Sequence, residues 1–170
     1  MASGKTTFGK ALAGSLNRKF IDLDAYIEKR AGLSVTQIFK EYGQDGFRIM
    51  EKEALHTLDS KDNLVVACGG GTPCFFDNME YMNHSGVTVF LQVSVSVLLN
   101  RLVAENSLRP LVAGKSAEEL AAYIGNQLEE RLPFYQTASI LWDGESLEKE
   151  TEISDNVSRF ISSFPEAIKN

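Results

Sequence analysis

Apolar residues along this chain switch between two spacings, and the switches mark its elements. In "TTFGKALAGSLN", Phe8, Leu12 and Leu16 fall four apart, the stripe of an amphipathic helix. "KFIDLD" predicts a short strand ending in two acids, Asp22 and Asp24. "SVTQIFKEYG" opens on the capping-box pair Ser34 and Gln37 and closes at Gly43. "FRIMEKEALHTL" sets Phe47, Met50, Ala54 and Leu58 on one side of a helix. "LVVACGGG" predicts a buried strand running into a glycine turn. "VTVFLQV" predicts another strand, followed by the helix "SVLLNRLVA". A second capping box, Ser116 with Glu119, starts a long helix carrying Leu120, Ile124 and Leu128 in register and ending at Arg131. "SILW" predicts a last short strand, residues 150 to 163 a last helix, and "FPEAIKN" a frayed tail.

Strands that are apolar almost throughout, alternating with helices, imply a parallel sheet covered on both faces. Ligands of such sheets bind beyond the carboxyl ends of the strands. The acids of "DLD" and the glycines of "GGG" both follow a strand, so this pattern places them on one edge with "SGKTT". No internal repeat or low-complexity segment interrupts the alternation.

Composition narrows the reading further. A length of 170 residues implies one domain, 1–170, with a sizeable core. The net charge of -6 argues against nucleic acid as a partner, so an anionic ligand would be held by a few placed cations. Cys68 and Cys74 are too few for a disulfide framework, their spacing suits no zinc pattern, and a reducing compartment is expected. The longest apolar stretch is broken by Gln92, Ser94 and Ser96, and Lys5 and Lys10 interrupt the amino end, so neither a membrane span nor a signal peptide is predicted. Cytoplasmic localisation is expected, and a monomer, because no coiled-coil pattern or long exposed apolar helix appears.

Four groups of residues carry candidate chemistry. "SGKTT" at a helix start offers backbone N–H groups to phosphate, with Lys5 for the β- and γ-phosphates and the Thr6 hydroxyl for Mg²⁺. The plain alternative is a Gly-Lys-Thr-Thr run that only starts a helix. Asp22 and Asp24 alternate across a strand end and so point to different places, one suited to metal-bound water and the other to a substrate hydroxyl and its proton. A solvated strand end with Asp24 capping the next helix is the alternative. Three consecutive glycines after a buried strand are costly in backbone entropy, and suit a ligand that comes against the backbone itself rather than a simple turn. Arg48, Arg109 and Arg131 offer guanidinium forks for carboxylate or phosphate, Arg109 in a Gly/Pro-punctuated segment suited to a lid, though singly each also reads as a surface ion pair. His56 and His84 are given no catalytic role.

In this order, "SGKTT", "FIDLD", "GQDGFRIME", "CGGGTP", "LRPL" and "ERLPFY" resemble the shikimate kinase family over nearly the whole chain. The resemblance implies a three-layer P-loop kinase fold, a parallel sheet flanked by helices. It implies transfer of the γ-phosphoryl of ATP to the 3-hydroxyl of shikimate, with Mg²⁺, in aromatic amino-acid synthesis. Carried over position by position, Ser3, Gly4, Lys5, Thr6 and Thr7 form the ATP-binding loop, Thr6 ligates Mg²⁺, and Asp22 helps order the metal shell through water. Asp24 binds substrate hydroxyls and is the candidate base. Arg48 and Arg131 pair with the shikimate carboxylate, and Gly70 and Gly71 bring backbone N–H groups to the substrate. Arg109 is the lid arginine, in a lid of about residues 105–116, and Arg101 lies along the adenine ring. The substrate-binding helices are expected over about 24–60.

The same resemblance implies a departure. The loop pattern G-x-x-x-x-G-K-[ST] asks for a glycine five positions before Gly4, upstream of Met1. The family's first, central strand is expected to be missing from this chain, through a misassigned start or a true truncation. Ala2 replaces a loop glycine, and Met1 falls on a loop methionine. Two other readings stand beside the leading one. One is another small-molecule P-loop kinase, gluconate kinase-like. The other is a non-catalytic protein that keeps the fold, favoured by the incomplete loop and opposed by Lys5, Asp24, Arg48, Arg109 and Arg131.

Overall fold

A computed structural model describes residues 2–58, 63–104 and 116–168. The strands and most of the helices fall where the apolar spacings predict, and two further helices, over 23–31 and 78–85, join them. The order is α1 (Lys5–Ser15), β1 (Lys19–Asp22), α2 (Leu23–Ala31), α3 (Val35–Thr57), β2 (Leu64–Ala67), a 3-10 turn (Thr72–Cys74), α4 (Asn78–Ser85), β3 (Val89–Gln92), α5 (Val95–Ala104), α6 (Ala117–Tyr135), β4 (Ile140–Asp143), α7 (Glu150–Ser163) and α8 (Pro165–Ile168).

Every strand pairing is parallel. β1 runs beside β2 with Phe20 opposite Val65 and Asp22 opposite Ala67. β3 runs beside β4 with Leu91 opposite Trp142. Helices make the crossovers, as parallel pairing requires. Among the described residues the two pairs do not hydrogen-bond to each other. The inner edges of β2 and β3 instead face a cavity of about 770 Å³, walled by both strands and by Phe8 and Leu12 of α1. One end of this cavity reaches Gly69, Gly70, Arg131 and Tyr135.

Three apolar clusters hold the elements around it. Phe8, Leu91, Ile140 and Phe160 join α1 and α7 to the β3–β4 pair. The Phe160 ring stands edge-on to Phe8 at 5.4 Å and to Trp142 at 5.2 Å. Leu23, Ile27, Ile38, Phe47 and Ala54 bind α2 and α3 to β2. Leu98, Leu102, Leu120 and Ile124 close α5 on α6. Side chains of this size each contribute about 1.5–3 kcal/mol when fully buried.

Both capping boxes form. Ser34 N–H donates to Gln37 Oε1 at 2.8 Å and Gln37 N–H to Ser34 Oγ at 3.3 Å. Ser116 N–H donates to Glu119 Oε2 at 2.8 Å and Glu119 N–H to Ser116 Oγ at 3.2 Å. α3 is continuous in its span but breaks at Gly43, with φ 69° and ψ -173°, where the sequence closes the first helix. Only glycine takes that left-handed φ without strain, and the break re-aims the half of α3 that carries Arg48 and Glu51.

Three local expectations are corrected. Asp24 is not at the strand end: Asp22 ends β1 and caps α2, accepting from Ala25 N–H at 3.4 Å, so Asp24 lies in the first turn of α2. α6 does not end at Arg131 but continues through Pro133 to Tyr135. Proline there deletes one donor near the helix end, and the carbonyl it would have met belongs to exposed Glu129. The chain from Pro165 to Ile168 is a short helix rather than a frayed tail.

Candidate active site

At the start of α1, Gly4 takes a left-handed φ of 83° as N-cap, with no side chain capping the helix. The first turn of α1 holds no acid, so the positive helix end suits an anion. A Cβ on Gly4 would sit 2.8 Å from Leu147 Cδ1, so close approach as well as φ demands glycine. Lys5 Nζ donates to Ser3 Oγ at 3.0 Å, which folds its ammonium back over the loop. Thr6 Oγ1 donates to Asp22 Oδ2 at 3.0 Å, joining α1 to the end of β1. A second cavity of about 480 Å³ opens beside this loop, lined by Gly4, Thr7 and Arg101.

Arg101 is tied down rather than free. Its Nη2 donates to the carbonyls of Gly144 at 3.1 Å and Glu145 at 2.7 Å, and Nη1 donates to that of Ala2 at 3.4 Å. It therefore shapes the wall of the second cavity, with Glu148 3.5 Å from its Nε.

The glycine turn after β2 organises the other half of the site. A Cβ on Gly69 would meet Glu51 Oε1 at 3.2 Å and Asp24 Oδ1 at 3.3 Å. One on Gly70 would meet Arg131 Nη1 at 3.2 Å and Tyr135 Oη at 3.3 Å. One on Gly71 would collide with Arg48 Nη2 at 2.5 Å. Three bare residues thus let a carboxylate and two guanidinium groups from α2, α3 and α6 gather against one stretch of backbone. That is the physical use of the triple glycine, and it brings together Asp24, Arg48, Gly70, Gly71 and Arg131.

Arg48 is held by Glu51, a side chain with 0% exposure, through Nη1–H to Oε2 at 2.6 Å. The other Glu51 oxygen accepts from Thr72 Oγ1 at 2.5 Å. The guanidinium also lies over the rings of Phe75 at 4.4 Å and Phe47 at 5.1 Å. This leaves Arg48 Nε buried with no hydrogen-bond partner among the described residues. A charged donor so placed costs free energy unless something anionic meets it.

Asp24 is half-buried, and burial pushes its carboxyl above the ordinary 3.8. The negative charges of Asp22 and Glu51 push the same way, while Lys5 and Arg48 oppose them. A carboxylate raised in this way is a better proton acceptor than a solvated one. Burial also drives the Cys68 thiol up to about 12, so it stays protonated beside Met82.

Arg109 and the expected lid up to residue 115 fall outside the described residues. Three residues that the motif reading did not single out belong to the site: Glu51, Thr72 and Tyr135. Among the described residues no group of three or more His, Cys, Asp or Glu side chains is placed to hold a metal.

A phosphate-receiving helix start on one side and a carboxylate with paired arginines on the other, both at the carboxyl ends of parallel strands, define a P-loop small-molecule kinase. A model of the family "Shikimate kinase" matches residues 1–162. The shikimate kinase of Parabacteroides distasonis is 48% identical over 91% of this chain and 90% of its own length. That of Phocaeicola vulgatus is 49% identical over 92% and 90%. The crystal structure of the shikimate kinase from Bacteroides thetaiotaomicron superposes with a TM-score of 0.93 at 44% identity, covering 97% of this chain and 94% of that one. The Acinetobacter baumannii enzyme, solved in complex with shikimate, gives 0.82 at 30% identity, covering 97% and 88%. The chain belongs to the shikimate kinase family, whose co-substrate is ATP.

Proposed function

We propose that this protein transfers the γ-phosphoryl group of ATP to the 3-hydroxyl of shikimate, a step in aromatic amino-acid synthesis. The observation that carries this reading is the convergence of Asp24, Arg48 and Arg131 on the Gly69–Gly71 backbone. A small substrate with one carboxylate and several hydroxyls matches that donor set. Arg48, with its orphaned Nε, and Arg131 take the carboxylate. Gly70 and Gly71 N–H groups and the Asp24 carboxylate take hydroxyls.

In the reaction, Asp24 accepts the proton of the attacking hydroxyl at a carboxylate oxygen as the oxygen–phosphorus bond forms. Lys5 and the N–H groups at the start of α1 hold the β- and γ-phosphates and balance the charge that passes to ADP as the bond to the leaving oxygen breaks. Arg109 is the lid residue that neutralises the transferring group, Thr7 lines the nucleotide side, and Arg101 borders the adenine. Mg²⁺ fits this site: Thr6 Oγ1 and Asp22 Oδ2, 3.0 Å apart, are hard oxygen donors. With no ready-made cluster of three acids or histidines among the described residues, the ion would be held largely by the nucleotide phosphates. When bound, it supplies Lewis-acid polarisation of the phosphoryl oxygens.

We read the functional unit as one domain over 1–170, acting as a monomer in the cytoplasm. No helix among the described residues is long and apolar enough to cross a membrane, and the net charge of -6 gives no basic footprint for nucleic acid.

The test is ADP release with Mg-ATP in the presence of shikimate, of gluconate, or of neither. Shikimate alone is expected to raise the rate above the ATP-only level. Stimulation by gluconate and not shikimate would assign the site to another small-molecule kinase. Shikimate binding without turnover would support a non-catalytic protein.

A further inference from the structure

We propose that the Tyr135 hydroxyl is a positioning group for substrate binding: it fixes the Gly70–Gly71 peptide so that the Gly71 N–H faces the substrate, and it steadies Arg131 beside it. This role rests on the shikimate-site reading above.

Tyr135 Oη donates to the Gly70 carbonyl at 2.6 Å. That carbonyl and the Gly71 N–H belong to one planar peptide unit and point in opposite directions. Holding the oxygen from the α6 side therefore fixes the direction of the N–H on the other. The constraint matters because a run of three glycines has the widest backbone freedom of any sequence, and nothing in its own side chains can order it. Among the described residues the only other side-chain group on that oxygen is Cys74 Sγ at 3.9 Å, a long and weak contact. Among the described residues the Gly71 N–H has no hydrogen-bond partner of its own.

The Arg131 guanidinium lies beside the same hydroxyl, both against Gly70: a Cβ there would meet Arg131 Nη1 at 3.2 Å and Tyr135 Oη at 3.3 Å. Arg131 and Tyr135 lie four apart, hence one above the other on a face of α6. Arg131 Nη2 donates to Gln127 Oε1, one turn earlier. The phenol ring is seated on Phe90 of β3, centroids 4.8 Å apart. Tyr135 thus ties the turn after β2 to α6 and to the neighbouring strand pair, its hydroxyl donating to a backbone carbonyl beside a carboxylate-binding cation. Burial pushes its phenol above the usual range, which keeps the proton on the donor through neutral pH.

Tyr135→Phe removes the oxygen and leaves the ring seat. In ligand-free, ¹⁵N-labelled protein the Gly71 amide resonance is expected to move, since a hydrogen bond to a carbonyl polarises the amide that follows it. KM for shikimate is expected to rise about 5- to 10-fold, the worth of one neutral hydrogen bond. KM for ATP and kcat should stay within about twofold on the same grounds. Thr88→Val is the control. It removes a hydroxyl bonded to Asn83 and Ser139 outside the site, and should lower the melting temperature without moving KM for shikimate. An unmoved Gly71 resonance would overturn the proposal, as would a shikimate KM that stays put or rises only in step with that for ATP. A wild-type chain with no shikimate turnover would sink the site reading and this role with it. Wild-type turnover with an unchanged KM in Tyr135→Phe would sink the role of Tyr135 alone.

Discussion

Asp24→Asn is expected to lower kcat by about 10²- to 10⁴-fold, the range for loss of a positioned general base, while the protein becomes no less stable. The stability half follows from the sign of the pKa shift. Asp24 is raised, first by burial and then by the charges of Asp22 and Glu51. Its folded form therefore favours the proton more than the unfolded chain does. The associated stabilisation is fully present below the unfolded value of 3.8 and is lost as pH rises through the folded value. At neutral pH the ionised group is a burden on the fold that asparagine does not carry. Thermal melts of metal-free protein should show the variant gaining on the wild type as pH climbs from below 3.8, at the same time as turnover collapses. Unchanged turnover would remove Asp24 from the role of base. A variant that melts well below the wild type at neutral pH would contradict the electrostatic account.

Arg48→Ala is expected to be costly in two separable ways. It strips the cation from Glu51, which is 0% exposed, and an uncompensated buried charge costs about 3–5 kcal/mol. It also removes the donor edge assigned to the substrate carboxylate, worth about 10- to 100-fold in shikimate KM. Arg48→Lys separates the two. A lysine ammonium keeps charge near Glu51 and should recover much of the stability, but its point charge does not replace a planar fork, so shikimate KM should stay high. Denaturant melts and initial rates on both variants check this. Recovery of KM by lysine would show that charge alone, not the guanidinium edge, holds the substrate.

Much of this site could be read from the chain, because its phosphate and substrate edges are built from backbone devices that leave marks in sequence. Gly4 before Lys5 and Thr6 sits at the start of α1, the acids after "KFI" where β1 gives way to α2, and the glycines after "LVVAC" where β2 gives way to a turn. The capping boxes at Ser34 and Ser116 and the break at Gly43 are equally local, so they fold as they read. What escaped notice depends on tertiary burial. Glu51 looks like an ordinary polar helix position, yet it lies in register with Phe47, Ala54 and Leu55, all buried. An acid inside an apolar stripe, one turn from an arginine, was the available signal. Tyr135 carried a weaker one, its spacing of four from Arg131. Asp24 was misplaced because a strand and the first turn of a helix meet at Asp22 without an intervening loop, and the alternation of a strand was carried two residues too far.

The central claim is transfer of a phosphoryl group to one particular hydroxyl, and the product tests it most directly. The chain is incubated with Mg-ATP and shikimate, and the purified product is read by phosphorus and proton NMR. The expected spectrum shows a phosphate ester coupled to the proton on carbon 3 of shikimate, formed in step with ADP. Phosphate on another hydroxyl would contradict the placement of Asp24 against the substrate, and ADP with only free orthophosphate would contradict the assignment of shikimate as acceptor.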